Sequence, residues 1–330
     1  MKQVLEPLTL FLRRTQVNVL RACPPVCGMI SDGALQARGS RAKNLFSLAA
    51  QVPPALLGHW RDRLKKRVVL GQVVFGVTTR CTLNCDKCLS HVPDLKAHRD
   101  TPAEELLADL HALFSCVDYI HDFCIGGGEP LLHPDLNRVI RACAASGKIG
   151  TVKVLTNGTV IPGEAVLAAL RRAAAPGEAR THVNISDYPH APQPDIEKIQ
   201  AVLRENGISH TLFPADNDFW VDTDSFGPLK EGSPARRFSD CFFRLYYVYM
   251  NGQLHLCCKS AIMAHDGRLP ARGEDFVSLR GIGPAAFRAQ LKKLNKKTSV
   301  SACAYCLGNN ARTPRIPAGV QRPICHDKEQ

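Results

Sequence analysis

From residue 68 onward, short and nearly continuous apolar runs alternate with longer stretches in which apolar residues recur every three or four positions. The runs 68–77, 119–125, 152–156, 182–186 and 209–213 read as buried strands. Between the first two, Leu106, Leu107, Leu110 and Phe114 mark a helix. Its predicted start is Thr101-Pro102-Ala103-Glu104, with a hydroxyl cap, a proline at the first helical position and a glutamate reaching back. A second helix begins near Pro134 and carries Leu136, Val139, Ile140 and Cys143 on one face, and two more are expected over about 164–174 and 195–206. Strand and helix repeating in units of roughly thirty residues imply a parallel sheet with right-handed crossovers. Beyond it, 242–250 and 253–257 read as a β-hairpin, because Asn251-Gly252 is a preferred two-residue turn.

In such a sheet reactive groups gather at the carboxyl ends of the strands. Four polar or glycine-rich segments fall there: Cys81–Cys88 after the first strand, Gly126–Glu129 after the second, Thr156-Asn157-Gly158 after the third and Ser186-Asp187 after the fourth. If the strands are parallel neighbours, the four converge on one rim.

Composition adds a location and a chemistry. Fourteen cysteines, with no convincing signal peptide, suggest reduced thiols, metal ligation and a cytoplasmic protein. No apolar stretch reaches the ~18 residues of a spanning helix. The net charge is +12, and residues 1–67 hold 12 Lys and Arg against 3 Asp and Glu, an excess of nine. This reads as a basic, solvated and helical extension, with docking to an anionic partner as the alternative. Nucleic acid is not expected among the partners. Cys116, Cys124 and Cys143 fall on apolar faces and read as core. Cys23 and Cys27 lack partners at ligand spacing, and His121, His133, His182 and His255 read as structural or surface groups.

Cys81-Thr-Leu-Asn-Cys85-Asp-Lys-Cys88 places three thiols within eight residues. Three thiolates can hold three corners of an iron–sulfur cube and leave one iron open to a small molecule. Clustered cysteines also suit zinc, for which Cys303-Ala-Tyr-Cys306 would be the second half of the site. The C-x3-C-x2-C spacing, followed about forty residues later by Gly126-Gly127-Gly128-Glu129-Pro130, resembles the radical S-adenosylmethionine (SAM) superfamily. Thr78–Cys85, Leu155–Thr159 and Asn184–Tyr188 are close to the wording of one of its subgroups.

The resemblance implies an α/β fold in which residues 68–225 form a partial (β/α)6 barrel. It implies that Cys81, Cys85 and Cys88 ligate a [4Fe–4S] cluster whose open iron binds SAM. Gly127, Gly128 and Glu129 would receive the methionine ammonium, and Asn157, Ser186 and Asp187 would lie near the ribose. The family's residue before the third cysteine is usually aromatic and close to the adenine; here it is Lys87, which leaves that contact unassigned.

Residues 226–330 carry a second set: Cys241, Cys257 and the pair Cys303 and Cys306. The hairpin would bring Cys241 near Cys257, and four thiolates complete a cluster with no open iron. The set resembles the Twitch or SPASM auxiliary-cluster domain, with Cys257 and Cys258 interchangeable on spacing and Cys325 as an extra thiol. Two clusters imply SAM cleavage, hydrogen abstraction and net oxidation of a small polyhydroxylated substrate, with a reducing donor such as flavodoxin or ferredoxin. Peptide modification is the alternative within that chemistry, and a non-catalytic electron carrier the alternative outside it. The acidic and aromatic segment Asp216–Asp224 sits where substrate would enter or forms a connecting loop. No catalytic acid or base can be named.

Overall fold

The computed structural model describes residue 62 and residues 64–323, apart from 172–176, 194, 214–219, 223–226, 230–231, 270–273 and 311–312. The basic extension up to residue 61, the pair Cys23 and Cys27, Cys325 and most of the acidic segment lie outside the described residues.

The βα rhythm is present. Strands β1 (Val69–Thr78), β2 (Tyr119–Gly127), β3 (Ile149–Thr156), β4 (Arg180–Ser186) and β5 (His210–Phe213) alternate with helices α1 (Ala103–Cys116), α2 (Leu136–Ala144), α3 (Glu164–Arg171) and α4 (Ile196–Glu205). All five strands pair in parallel. One face of the sheet meets the apolar stripes of the helices. Val73, Phe75, Val77, Phe123, Ile125, Val152 and Val154 are sealed there against Leu106, Leu110, Leu113, Val139, Ile140 and Leu203. On the other face an ion pair between Asp122 and Lys153, 3.0 Å apart, is almost fully buried.

The start of α1 differs from the expected cap. The N-cap is Pro102, with no side-chain cap. Thr101 is drawn into the sheet instead, its N–H donating to Val77 O at 3.0 Å and its carbonyl accepting from His133 Nε2 at 2.8 Å.

The chain continues through β6 (Trp220–Val221), α5 (Pro234–Ser239), β7 (Tyr247–Met250), β8 (Gln253–His255), α6 (Cys258–His265), β9 (Phe276–Ser278), α7 (Pro284–Asn295) and β10 (Arg315–Ile316). The hairpin turn is as expected: Asn251 and Gly252 both take positive φ, 49° and 72°. Residues 242–245 form a 3-10 turn rather than the start of the strand.

The hairpin expected in a small C-terminal β-hairpin/α domain beside the partial (β/α)6 barrel joins the main sheet. The sheet runs β5-β4-β3-β2-β1-β7-β8-β9, so the sixth parallel strand, β7, lies beside β1 and not beyond β5. Without β7 the outer edge of β1 would present unpaired backbone groups. Side chains fix the choice. The Tyr249 ring stacks on Phe75 with centroids 4.0 Å apart, and its hydroxyl donates to Asp109 of α1. Asp109, 2% exposed, also accepts a two-pronged hydrogen bond from Arg280 at 2.9 and 2.6 Å. Both halves of the chain therefore share one sheet and one core.

Candidate active site

The rim predicted from the strand ends exists. Past Gly76 the pairing of β1 with β2 shifts register, and the strand bends as bulged edges do. The two chain segments then run against each other: Gly128 N donates to Thr78 O at 2.9 Å and Glu129 N to Arg80 O at 2.8 Å. This explains the glycines. A Cβ on Gly127, at φ 136°, would lie 2.2 Å from Thr78 O, and one on Gly128 would lie 2.0 Å from Arg80 O. The close approach they permit is between the cluster loop and its neighbour.

Glu129 is fully buried. Its Oε1 accepts from Leu131 N at 3.0 Å and Thr156 Oγ1 at 2.9 Å, and its Oε2 from Asn157 N at 2.7 Å. Burial nevertheless pushes its pKa up to about 7 against the pull of these donors. The carboxyl braces the end of β2 to the end of β3.

Each of the three loop cysteines has N–H groups beside it. Asn157 Nδ2 donates to Cys81 Sγ at 3.5 Å and to Thr82 Oγ1 at 3.0 Å, and Leu83 N also reaches Cys81 Sγ at 3.5 Å. Gln321 Nε2 donates to Cys85 Sγ at 3.1 Å. The backbone N–H groups of Val92 and Ser90 lie close enough to the Cys88 thiol to offset part of the upward push of burial. Burial pushes all three thiols up, and they lie near enough for charge on one to act on the next. Sulfurs that are buried and held by N–H dipoles suit thiolates bound to a metal cluster better than free thiols.

Ser186 and Asp187 stand at the end of β4, where Asp187 N donates to Phe213 O at 2.9 Å. Sequence reasoning missed Gln193. Its Nε2 donates to the carbonyls of Asn157 and Ser186, and its Oε1 accepts Tyr188 N at 2.6 Å, so one amide ties the ends of β3 and β4. An isolated glutamine in a proline-rich turn carries no signal that would have found it. Lys87, at positive φ, pairs with Asp222 at 3.4 Å. Of the acidic segment, Trp220 and Val221 form β6, which pairs with β10, and Trp220 sets its ring edge-on to Tyr188 at 5.3 Å.

The second set also converges. Cys241, Cys257, Cys258, Cys303 and Cys306 line one pocket with Leu89, the residue after Cys88. Cys257 caps α6, its Sγ accepting Ser260 N at 3.4 Å, while Cys306 Sγ accepts Gly308 N at 3.2 Å and Cys241 Sγ accepts Asn309 N at 3.4 Å. Burial pushes Cys241 up to about 11 and Cys258 and Cys303 up to about 12, so as free thiols they stay protonated and inert. The donors suit thiolates, and five sulfurs exceed the four that a cube takes. Among the described residues no three Cys, His, Asp or Glu groups are drawn together around a single ion. A cube, by contrast, spreads its thiolates over four irons.

Residues 76–209, from the end of β1 to the start of β5, match the family model of the Radical SAM superfamily. This segment is a radical SAM domain. Among the curated proteins none matches the chain. Several solved structures do. SuiB of Streptococcus suis bound to S-adenosylmethionine is 16% identical at TM-score 0.37, over 60% of this chain and 45% of that one. BtrN in complex with AdoMet and 2-DOIA is 15% identical at TM-score 0.44, over 73% and 93%. Native anSMEcpe with bound AdoMet and Cp18Cys peptide is 17% identical at TM-score 0.34, over 43% and 42%. Against SuiB and anSMEcpe the chain spans less than half of the matched protein's length, and at these TM-scores the likeness says nothing about substrate. No helix among the described residues is long and apolar enough to cross a membrane.

Proposed function

We propose that the protein is a radical SAM enzyme that oxidises a small polyhydroxylated substrate. Cys81, Cys85 and Cys88 would hold the SAM-binding [4Fe–4S] cluster. Four of the pocket cysteines, Cys241, Cys303 and Cys306 with Cys257 or Cys258, would hold a second. When bound, the first cluster and SAM supply reductive cleavage to methionine and a 5′-deoxyadenosyl radical able to take a hydrogen atom from a C–H bond.

The chain's own residues prepare that chemistry. Asn157 and Gln321 hold the loop sulfurs by N–H donation, and Glu129 and Gln193 lock the strand ends that form the rim. Gly127 and Gly128 let the loop lie flat against its neighbour. The ammonium and ribose of SAM would be received along Gly127–Glu129, Asn157 and Ser186-Asp187. The three hydrogen bonds that Glu129 already accepts leave room for about one more donor, because a carboxylate offers about four acceptor sites.

The observation that carries the oxidation reading is the second thiol set lining one pocket beside Leu89. Taking a hydrogen atom from an alcohol carbon leaves one electron and one proton still to be removed before a ketone forms. A cluster held by four thiolates would have no site for substrate and would supply an acceptor for that electron, the proton passing to solvent.

The test is the iron content of anaerobically reconstituted protein beside a variant with Cys81, Cys85 and Cys88 all changed to Ala, together with 5′-deoxyadenosine release under a strong reductant. About eight irons falling to about four, with 5′-deoxyadenosine formed only by the parent, is expected. About four irons falling to none would remove the acceptor and with it the oxidation reading. Iron without any SAM cleavage, across polyol and peptide substrates alike, would make the protein an electron carrier. Turnover of peptides but not polyols would replace oxidation of a small substrate by peptide modification.

A further inference from the structure

Near its end the described chain returns to the cluster loop. Residues 319–322 lie antiparallel to 84–86 and bond to them like an added strand. Cys85 and Gln321 form the bridge, Asp86 N donates to Val320 O at 2.6 Å, and Arg322 N donates to Asn84 O at 2.8 Å. Side chains fasten the strap. Arg322 reaches Asp86 at 3.3 Å and Asp94 at 2.8 Å, and Gly319, at φ 76°, lies so close to Tyr188 that a Cβ would sit 2.4 Å from the tyrosine's own.

The centre of the strap is the Gln321 amide, which makes three bonds at once. Its Oε1 accepts Asn84 N at 2.8 Å, and its Nε2 donates to Cys85 Sγ at 3.1 Å and to Gly319 O at 2.7 Å. The amide cannot be turned over, since that would set NH2 against the N–H of Asn84 and oxygen against the Gly319 carbonyl. Its donor edge is therefore fixed on the sulfur.

We propose that Gln321 is a positioning residue that fixes the backbone of the cluster loop and sets the reduction potential of the cluster held by Cys85. This rests on the radical SAM reading of Cys81, Cys85 and Cys88. An N–H directed at a ligand sulfur draws electron density from it and favours the reduced cluster, so it raises the potential. The strap brings that control from residues more than 230 positions away and outside the segment that matches the family.

Two variants separate the roles. Gln321→Glu keeps an acceptor for Asn84 N, loses the N–H donor to Cys85 and, with its outer oxygen protonated, still donates to the Gly319 carbonyl, whereas Gln321→Leu removes all three bonds. In redox titrations of reconstituted full-length protein followed by electron paramagnetic resonance, both variants are expected to show a lower midpoint potential than the parent. In cluster-free full-length protein, amide exchange over 82–87 should stay slow in Gln321→Glu and rise roughly fivefold in Gln321→Leu, as loss of one net hydrogen bond implies. Unchanged potentials in both assembled variants would overturn the tuning role, and unchanged exchange in Gln321→Leu would overturn the anchoring role. If a variant assembles no cluster, the exchange experiment still decides the anchoring. A parent protein that takes up no iron would instead sink the cluster reading itself, which the exchange result does not depend on.

Discussion

Glu129 Oε2 accepts the backbone N–H of Asn157 at 2.7 Å, and the Asn157 side chain in turn donates to Cys81 Sγ at 3.5 Å. A buried carboxyl group two residues past β2 thereby positions, through the first residue past β3, a thiol of the loop that follows β1. Three consecutive parallel strands are coupled at their carboxyl ends by two side chains.

This carboxyl gives the fold a pH dependence of defined sign. Its pKa in the folded protein is raised from 4.5 to about 7 by burial. Between those values the folded state holds a proton that the unfolded state has released. The stabilisation is complete below about pH 4.5 and is lost as pH rises through 7, on the order of 3 kcal/mol in all. In urea unfolding of cluster-free protein between pH 5 and 8, stability should fall more steeply with rising pH in the parent than in Glu129→Gln, in which the opposite slope from the buried His91, His121 and His255 remains. Equal slopes for the two proteins would mean that the carboxyl is already ionised at pH 5.

Gly128→Ala tests the contact between the cluster loop and its neighbour. The new Cβ would stand 2.0 Å from the backbone oxygen of Arg80, a contact that no side-chain movement can relieve. The loop must move off Glu129, breaking the Glu129 N to Arg80 O bond. We expect a loss of about 3 kcal/mol in stability and iron uptake reduced by about half, since only the loop cluster should be affected. Wild-type iron content would show that the two segments separate without consequence.

The second thiol set predicts an inequality among its members. Cys303→Ala and Cys306→Ala should each lower iron from about eight to about four. Of Cys257→Ala and Cys258→Ala only one should do so, because a cube takes four of the five sulfurs. If neither does, either sulfur can serve, and only the double variant will lose the cluster. Zinc rather than iron in the parent protein, with the loop cluster intact, would reassign the set to a structural metal.

Asp109 joins α1 to Arg280 and to Tyr249 of β7. Asp109→Ala leaves the Tyr249 hydroxyl without its acceptor and the Arg280 guanidinium with Glu105 as its remaining acidic partner. The expected cost is about 3 kcal/mol, read as a lower unfolding midpoint for the whole molecule. Two separate transitions, with only the later one shifted, would show that the β7–β9 region folds independently of the barrel strands.

Much of this architecture was legible in the chain. The five strands and four helices of the βα region lie within a few residues of their expected positions, because alternating buried runs and amphipathic stretches admit few other arrangements. Asn251-Gly252 turns the hairpin as its dipeptide requires. The capping signal at Thr101 failed because the hydrogen bonds that Thr101 makes to the sheet and to His133 were invisible locally. The conflict between Thr101 as a cap and Pro102 as the observed N-cap was settled by tertiary contacts.

The sequence by itself determined the elements, the order in which they follow one another, and the chemistry-bearing residues at the strand ends, since these depend on local periodicity and short-range spacing. Tertiary structure alone decided that β7 lies against β1, that Asp109 spans the two regions, that Glu129 turns inward, and that Gln193 and Gln321 hold the rim and the cluster loop. Each of these is a contact between residues far apart in the chain, or a polar side chain whose role comes from the several partners that the fold brings to it. Neither leaves a periodic trace, because nothing in the neighbouring residues has to change for the contact to form.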